Sequence, residues 1–297
     1  MTSCPCPGNH SFCEDCRSQI QELHCPLCRS SRLPVAIWLL EGRKSSLGED
    51  EALGLWHRAL RHGQSGVLIC LRLEDLGRRS RWNLLNAVFD HNSSSLHLAA
   101  ESGHAENVSM LCLMRAEVDA RDDFGETALH RTLIHNDPSG LQALLANRAN
   151  PEIVDEAGAP PIVIAAASGN VNITQCLLQA RVDPSAQTLE GETALMASLM
   201  ESSNVHVLRM LLRSRVCLHD VDDIGETALH VAVRFNNRTG VELLLAAQAD
   251  CNLESGDGVT PMQLARQLGK FALLDVLRGR PSPITSRRWR TGALTAT

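Results

Sequence analysis

Apolar side chains recur along most of this chain in blocks of two short runs. One apolar position near the start of each block is occupied by Leu96, Leu129, Ile162, Leu195, Leu229 and Met262. The steps between these positions are 33, 33, 33, 34 and 33 residues. The second run of a block carries adjacent leucines, such as Leu144-Leu145, and a polar turn such as Ser168-Gly169-Asn170 separates the two runs. This pattern predicts pairs of short helices that bury their apolar stripes only by stacking on neighbouring pairs.

The residues before each first helix fit a helix start. The segment Gly-Glu-Thr-Ala-Leu occurs three times, beginning at Gly125, Gly191 and Gly225. A threonine that directly precedes an apolar helical run can accept a hydrogen bond from a free backbone N–H of the first turn. Pro261 follows Thr260 at a position where its missing N–H has no helical partner to lose. The helix starts therefore repeat with the same period as the core positions.

These motifs resemble the ankyrin repeat. Thr-Ala-Leu-His at Thr127 to His130 and at Thr227 to His230 matches the helix-opening motif of that family, over about residues 91–280. The resemblance implies a mainly α-helical solenoid of about six repeats that binds a protein partner on its concave face. In such a repeat we expect His130 and His230 to tie loop to helix by hydrogen bonds rather than to bind metal. Pro160 to Val163 and Met196 depart from the motif, so we expect those repeats to be locally softer.

The chain outside the repeats divides into four further segments. Residues 53–90 contain Leu55 to Ala59 and Val67 to Leu71, which predict a degenerate capping helix pair. Residues 31–52 read as a linker, since Gly42 to Glu51 is polar and charged. Residues 281–297 form a tail in which Arg287, Arg288 and Arg290 surround Trp289, and we expect it to be disordered. Residues 1–30 form a separate small module.

Composition limits the classes of function. The chain has 297 residues and a net charge of −6, which provides no general basic surface for nucleic acid. Its apolar runs, such as Leu33 to Leu40, are too short for a membrane helix. The amino terminus is polar and rich in cysteine, unlike a secretory signal. We therefore expect no nucleic acid or membrane partner and a location in the cytoplasm, the nucleus or both.

Six of the eleven cysteines lie within the first 28 residues, and they include two Cys-x-x-Cys pairs. These candidate metal ligands, with one histidine among them, are Cys6, His10, Cys13, Cys16, Cys25 and Cys28. Paired thiolates at this spacing can close on one Zn²⁺, which takes four sulfur or nitrogen ligands. In a chain without a secretory signal, zinc is favoured over disulfides. A redox or incidental cluster and a purely structural zinc site remain as alternatives.

The order of these residues resembles the second half of a RING finger. By that resemblance Cys6, His10, Cys25 and Cys28 form one complete zinc site, and Cys13 and Cys16 supply half of a second site. The family's opening Cys-x-x-Cys pair has no counterpart here, although Cys4 can donate one ligand. The resemblance implies docking of a ubiquitin-conjugating enzyme on Pro26, Leu27 and Arg29. It therefore implies a ubiquitin ligase whose repeats select the substrate.

Acidic residues mark the segments that link successive repeats, and stacking would place them in one row beside the concave face. The candidate partner-binding residues are Asp122, Asp123, Asp155, Glu156, Glu190, Asp222, Asp223, Glu254 and Asp257. Such a row would attract a basic peptide or a basic protein face. The alternative is that aspartate in these turns only shapes the backbone. Two hypotheses for the whole protein follow: a RING-type ubiquitin ligase, or a non-enzymatic adaptor with a structural zinc site.

Overall fold

The computed structural model describes residues 49–62, 85, 87–214 and 216–279. The predicted zinc ligands and the residues predicted to dock a conjugating enzyme lie outside these ranges, as do Val67 to Leu71 and the tail. The chain divides into two compact units, with the boundary between Glu117 and Val118.

The described residues of the first unit form three α-helices and one short 3₁₀ turn. The elements are α1 (Glu49–Arg61), the 3₁₀ turn Asp90–Asn92, α2 (Ser95–Glu101) and α3 (Ala105–Leu113). Trp56 is fully buried, and its Nε1 donates a hydrogen bond to Ser95 Oγ at 2.9 Å. The first predicted helix of the capping pair is therefore present, and it packs directly on the first repeat.

Two elements of this unit begin before the predicted segment bounds. Helix α1 begins at Glu49, within the residues predicted to form a linker. The first repeat begins before residue 91, since Val88 bridges to Ser94 and Phe89 N donates to Ser93 O at 2.9 Å. Asn92 adopts a positive φ at the position that a glycine occupies in the later turns, so the glycine that marks those turns is absent here.

In the second unit, the part of the chain that the structure describes forms five helix pairs. They are α4 (Ala128–Ile134) with α5 (Pro138–Ala146), α6 (Pro161–Ala167) with α7 (Val171–Gln179), α8 (Ala194–Met200) with α9 (Val205–Arg213), α10 (Ala228–Arg234) with α11 (Arg238–Ala246), and α12 (Pro261–Gln267) with α13 (Phe271–Leu277). With α2 and α3, the described residues hold six helix pairs. The predicted mainly helical ankyrin fold is confirmed.

The core lies where the periodic apolar positions predict it. Leu129, Ile162, Leu195 and Leu229 are each at most 1% exposed in their first helices. Each second helix buries one of its paired leucines completely, as with Leu144. Burying a leucine side chain contributes about 1.5–3 kcal/mol relative to leaving it exposed. Because the helices are short, this shared burial stabilises them more than their own helix propensity does.

Side-chain hydrogen bonds join successive helix pairs within the second unit, and we call these bonds polar clasps. Asn204, Asn237 and Lys270 each stand directly before a second helix, 33 residues apart. Asn204 Nδ2 donates to Ala167 O at 3.1 Å, Asn237 Nδ2 to Leu199 O at 3.0 Å, and Lys270 Nζ to Val233 O at 2.9 Å. Each clasp satisfies a carbonyl in the last turn of the first helix of the previous repeat. Such a carbonyl has no partner within its own helix. The stack is therefore held by directed bonds as well as by apolar burial.

Candidate protein-interaction surface

Five hairpin turns precede the first helices of the second unit, at residues 122–126, 155–159, 188–192, 222–226 and 255–259. In each turn the backbone N–H of the first residue donates to the carbonyl of the fifth, as from Asp122 to Glu126 at 2.9 Å. The fourth residue is a glycine with φ between 68° and 75°. At Gly191 an added Cβ would lie only 2.8 Å from Asp222 Cα, so this turn leaves no room for a side chain.

Three of the predicted partner-binding carboxylates shape these turns. Asp122 Oδ1 accepts hydrogen bonds from Phe124 N at 3.0 Å and Glu126 N at 2.9 Å. Asp155 Oδ1 accepts from Ala159 N at 2.8 Å, and Asp222 Oδ1 accepts from Glu226 N at 2.7 Å. An aspartate that bonds its own following backbone stabilises a turn. These three residues therefore have a structural role in the repeat, and their role in partner binding stays a prediction.

The other predicted acids are exposed on neighbouring turns. The exposed residues are Asp123, Glu156, Glu190, Asp223, Glu254 and Asp257. Backbone bonds join successive turns: Glu156 N donates to Phe124 O at 2.9 Å, and Asp223 N donates to Glu190 O at 2.9 Å. Gly256 N similarly donates to Ile224 O at 3.0 Å. These bonds position the first turn against the second, and the third turn against the fourth and the fourth against the fifth, so that neighbouring turns present carboxylates side by side.

Exposed apolar side chains lie among these acids, which the sequence analysis missed. Phe124 is 45% exposed, Leu189 74% and Ile224 58%. We call the exposed residues of the five turns the turn surface, consisting of Asp123, Phe124, Glu156, Leu189, Glu190, Asp223, Ile224, Glu254 and Asp257. The turn surface is amphipathic rather than only acidic. An exposed mixture of apolar and charged groups is typical of the surfaces that proteins use for binding.

Two arginines on first helices neutralise part of the acidic charge. Arg131 contacts Asp122 Oδ2 at 2.5 Å and Glu126 Oε2 at 3.1 Å, and Arg234 pairs with Glu226 through both Nε and a terminal nitrogen. The sequence signal for these pairs is weak, because the arginines follow their partners by five to nine residues at different positions of the helix. The arginines that the sequence places near second helices, such as Arg148, are exposed at helix ends.

The two carboxylates of the first turn that contact Arg131 have pKa values shifted in opposite directions. Burial disfavours ionisation of Asp122, but the Arg131 bond and two backbone N–H groups outweigh it and lower the pKa of Asp122. Burial raises the pKa of Glu126 despite the attraction of Arg131, with a further contribution from Asp122 and Asp155. The single guanidinium of Arg131 therefore offsets the negative charge of Asp122 more completely than that of Glu126.

Glu192 has no such cation. It occupies the same turn position as Glu126 and Glu226, yet the helix positions of Arg131 and Arg234 are held here by Ala197 and Met200. Glu192 takes part in none of the ion pairs found among the described residues. Its Oε1 is buried and accepts no hydrogen bond within the same part of the chain. Burial, followed by the charges of Glu190 and Asp222, raises the pKa of Glu192.

The histidines of the repeat motif are structural, as expected. Thr127 N donates to His130 Nδ1 at 3.0 Å, and Thr227 N donates to His230 Nδ1 at 3.2 Å. Because Nδ1 accepts, the remaining proton lies on Nε2, and His230 Nε2 donates to Val259 O at 2.8 Å. His230 thus connects its own turn, its helix and the following turn. In the second unit this leaves His230 without a free nitrogen for a metal.

The described residues contain no group of three or more metal-ligating side chains. Cys112 and Cys176 are buried, and burial raises the pKa of the Cys112 thiol to about 11. The six cysteine and histidine ligands predicted near the amino terminus fall outside these residues, so the zinc site stays a prediction. None of the helices in the described ranges combines the length and the apolar character needed to cross a membrane.

Comparisons with known proteins agree with this architecture. The family model described as "Ankyrin repeats (3 copies)" matches residues 56–156 and 162–255. The NF-kappa-B p105 subunit of Gallus gallus is 30% identical over 206 residues, which are 65% of this chain and 21% of that protein. The B-cell lymphoma 3 protein homolog of Mus musculus is 27% identical over 245 residues, 80% of this chain and 52% of that protein. This chain therefore spans about a fifth of the first relative and about half of the second.

The crystal structure of the Bcl-3 ankyrin repeat domain aligns with a TM-score of 0.69 and 25% identity, covering 76% of this chain and 98% of that domain. The human ASB11 ankyrin repeat domain aligns with a TM-score of 0.64 and shows the same fold at 23% identity. The family match covers more than half of the sequence and includes most of the turns and helices described above. This chain belongs to the ankyrin repeat family.

Proposed function

We propose that this protein is an adaptor that binds a protein partner through the turn surface. The observation that carries the proposal is the row of backbone-linked turns that presents exposed carboxylates beside exposed apolar side chains. Negative charge attracts a basic partner, while groups such as Phe124 and Leu189 provide apolar area for a stable contact. The polar clasps limit the rearrangement that binding requires, which lowers its entropic cost. We place this function in the cytoplasm, the nucleus or both.

Charge reversal on the turn surface tests the adaptor function. Glu190→Lys with Asp223→Lys changes two exposed turn acids, and Glu152→Lys with Asp275→Lys changes two exposed acids outside the turns. Affinity capture from cells with the parent and both variants should identify proteins that the turn variant loses and the control variant retains. Binding of such a protein, once purified, should weaken as salt rises. Equal capture by both variants would contradict the proposal.

Ubiquitin ligation is the second candidate function. The order and spacing from Cys6 to Cys28 support it, together with Pro26 and Leu27 between the last two cysteine ligands and Arg29 directly after them. Zinc would be held by Cys6, His10, Cys25 and Cys28, with Cys13 and Cys16 at a second site, and would order a segment too short to build its own core. In this reading the turn surface selects the substrate and the amino-terminal module positions the charged conjugating enzyme.

Ubiquitination assays separate the two candidates. The full chain is incubated with activating enzyme, a panel of conjugating enzymes and ubiquitin, beside a Cys25→Ser variant. Chain formation by the parent and not by the variant supports a ligase. If neither protein forms ubiquitin chains while the parent still binds zinc, the result supports the adaptor with a structural zinc site.

A further inference from the structure

The ends of three neighbouring second helices are basic. Helices α5, α7 and α9 contain no acidic residue, and each has an exposed arginine at its end or just after it: Arg148, Arg181 and Arg213. Helix α7 packs against both α5 and α9, so the three ends are neighbours in the stack. We call these three arginines the basic edge. None of them forms an ion pair or a side-chain hydrogen bond within the part of the chain that the structure describes.

Two of these arginines adopt a backbone conformation that favours glycine. Arg148 has a φ of 66° and Arg181 a φ of 63°, whereas Gly279 has a φ of 71° at the same position after α13. A side chain in this left-handed region costs free energy that glycine avoids. The N–H of Arg148 closes its helix end by donating to Leu145 O at 3.1 Å, a bond that glycine would make equally well. The helix end therefore does not require arginine, and strain at an exposed charge in two successive repeats indicates a function for that charge.

Acids that flank the basic edge are engaged by the backbone. Asp183 Oδ1 accepts a hydrogen bond from Ser185 N at 2.9 Å, and Asp119 Oδ1 accepts from Asn150 N, two residues after Arg148, at 2.9 Å. Neither aspartate joins an ion pair among the described residues. The positive charges of the basic edge are therefore available to a partner.

We propose that the basic edge binds an acidic protein segment in an extended conformation. Packed helices lie about 8–10 Å apart, which sets the interval between successive arginines of the edge. In a polyproline II segment, side chains three residues apart lie on the same face, about 9 Å from each other. Carboxylates at every third residue therefore meet successive arginines, and each guanidinium can bind a carboxylate through two N–H groups. The net charge of −6 disfavours a long polyanion such as nucleic acid at this edge.

This inference goes beyond the adaptor function, because the basic edge shares no residue with the turn surface. The turn surface attracts basic groups, and the basic edge attracts acidic groups. One molecule can therefore hold two proteins of opposite charge at the same time, and neither contact depends on the other.

Fluorescence anisotropy with the full chain tests this binding. The probe is a labelled synthetic peptide with glutamate at every third position between prolines and alanines. A comparison peptide of the same composition has all its glutamates adjacent. At low salt the spaced peptide should bind more tightly than the comparison peptide, because only the spaced glutamates match the interval of the arginines. Its binding should weaken as salt rises.

Neutralising the basic edge should weaken this binding. Arg148→Gln with Arg181→Gln removes two charges and leaves side chains that this backbone accepts, since Gln248 has a φ of 68° at the equivalent position after α11. At low salt we expect the affinity for the spaced peptide to fall about tenfold, about threefold for each exposed ion pair. Arg266→Gln with Arg278→Gln changes two exposed arginines outside the basic edge and should bind like the parent.

A second variant distinguishes binding from a purely structural role. Arg148→Gly with Arg181→Gly relieves the left-handed strain, so it should lose the peptide as the glutamine variant does while its unfolding midpoint stays level or rises. Lower midpoints in both variants would show that the arginines stabilise their helix ends through the helix dipole, and would overturn the proposal.

Equal affinity of the parent and the glutamine variant for the spaced peptide would also overturn the proposal. So would equal affinity of the parent for the two peptides, because the arginines would then attract charge without matching its spacing. Tighter binding of a single-stranded oligonucleotide of equal charge would identify phosphate as the ligand in place of carboxylate. All these outcomes leave the adaptor proposal intact, and failure of the charge-reversal capture experiment leaves the basic edge unaffected.

Discussion

Individual carboxylates of the five hairpin turns differ in what they do, although the sequences of the turns look alike. Asp122 is satisfied by two backbone N–H groups and by Arg131, whereas Glu192 has a buried oxygen without a donor among the described residues. The pKa of Asp122 is lowered and that of Glu192 is raised. Two acids from equivalent turns thus contribute to stability with opposite dependence on pH.

We expect Glu192→Gln to stabilise the repeats at neutral pH. A carboxyl group whose pKa is raised by folding favours the protonated state, so its ionisation destabilises the fold as the pH rises above the ordinary value of 4.5. Urea denaturation of the parent and the variant should agree below that pH and diverge toward pH 7. Met200→Arg should give a similar gain of about 0.5–1 kcal/mol, and none in a Glu192→Gln background. A parent that is more stable than Glu192→Gln at pH 7 would contradict this account.

The opposite sign applies to Asp122→Asn. A carboxyl group whose pKa is lowered by folding adds stability above its ordinary value of 3.8, and this stability is lost as the pH falls through the folded pKa. The asparagine can still accept from the turn backbone but loses the charge pair with Arg131. We expect a loss of about 1–3 kcal/mol at pH 7 by urea denaturation, shrinking as the pH falls below 3.8. An equal loss at acidic and neutral pH would point to the turn backbone instead.

At the scale of elements, helix α10 depends on the turn before it and on the turn of the next repeat. His230 closes the capping box of α10 and reaches Val259 O in the following turn. In α12 the corresponding residue is Gln263, whose Oε1 accepts from Thr260 N at 2.8 Å. The capping bond can therefore be made by an amide, whereas at His230 the second ring nitrogen also makes the link to the next turn.

Substitutions at His230 should separate these two contributions. His230→Gln keeps an acceptor for Thr227 N and loses the bond to Val259 O, so we expect a loss of about 1 kcal/mol. His230→Ala loses both bonds and leaves a cavity, and about 3 kcal/mol is expected. Thermal or urea unfolding of both variants measures the difference, with exposed His206→Ala as the control. Equal losses in the two His230 variants would show that the capping bond contributes little.

At the scale of the whole molecule, the repeats and the amino-terminal module draw on different sources of stability. The repeats bury periodic leucines and alanines and need no metal to do so. For residues 1–30 we predict a dependence on a ligand such as zinc, because a segment of about 30 residues cannot bury enough apolar area to fold alone.

Removal of metal should therefore affect one part of the protein only. Elemental analysis of the full, reduced chain should find bound zinc, and a strong chelator should remove it while the helical circular dichroism of the repeats and their unfolding midpoint stay unchanged. A Cys217→Ser variant, altered at an exposed cysteine of the repeats, should bind as much zinc as the parent. Absence of bound metal in carefully prepared protein would remove the basis of the zinc module.

The sequence by itself determined the period, the helix pairs and the core, because burial in a repeat depends on positions a few residues apart. Leu129, Thr127 and His130 had the roles that their motif predicts. The start of α1 and the turn at Val88 were missed, since a polar, charged segment also fits a linker and a positive φ at a residue other than glycine leaves a weak signal. Only the tertiary structure decided which acids have a partner. It pairs Asp122 with Arg131, nine residues on, and leaves the charge of Glu192 without a cation. It also links Glu190 to a turn 33 residues away. Charge compensation depends on distances in space, and residues far apart along the chain set those distances.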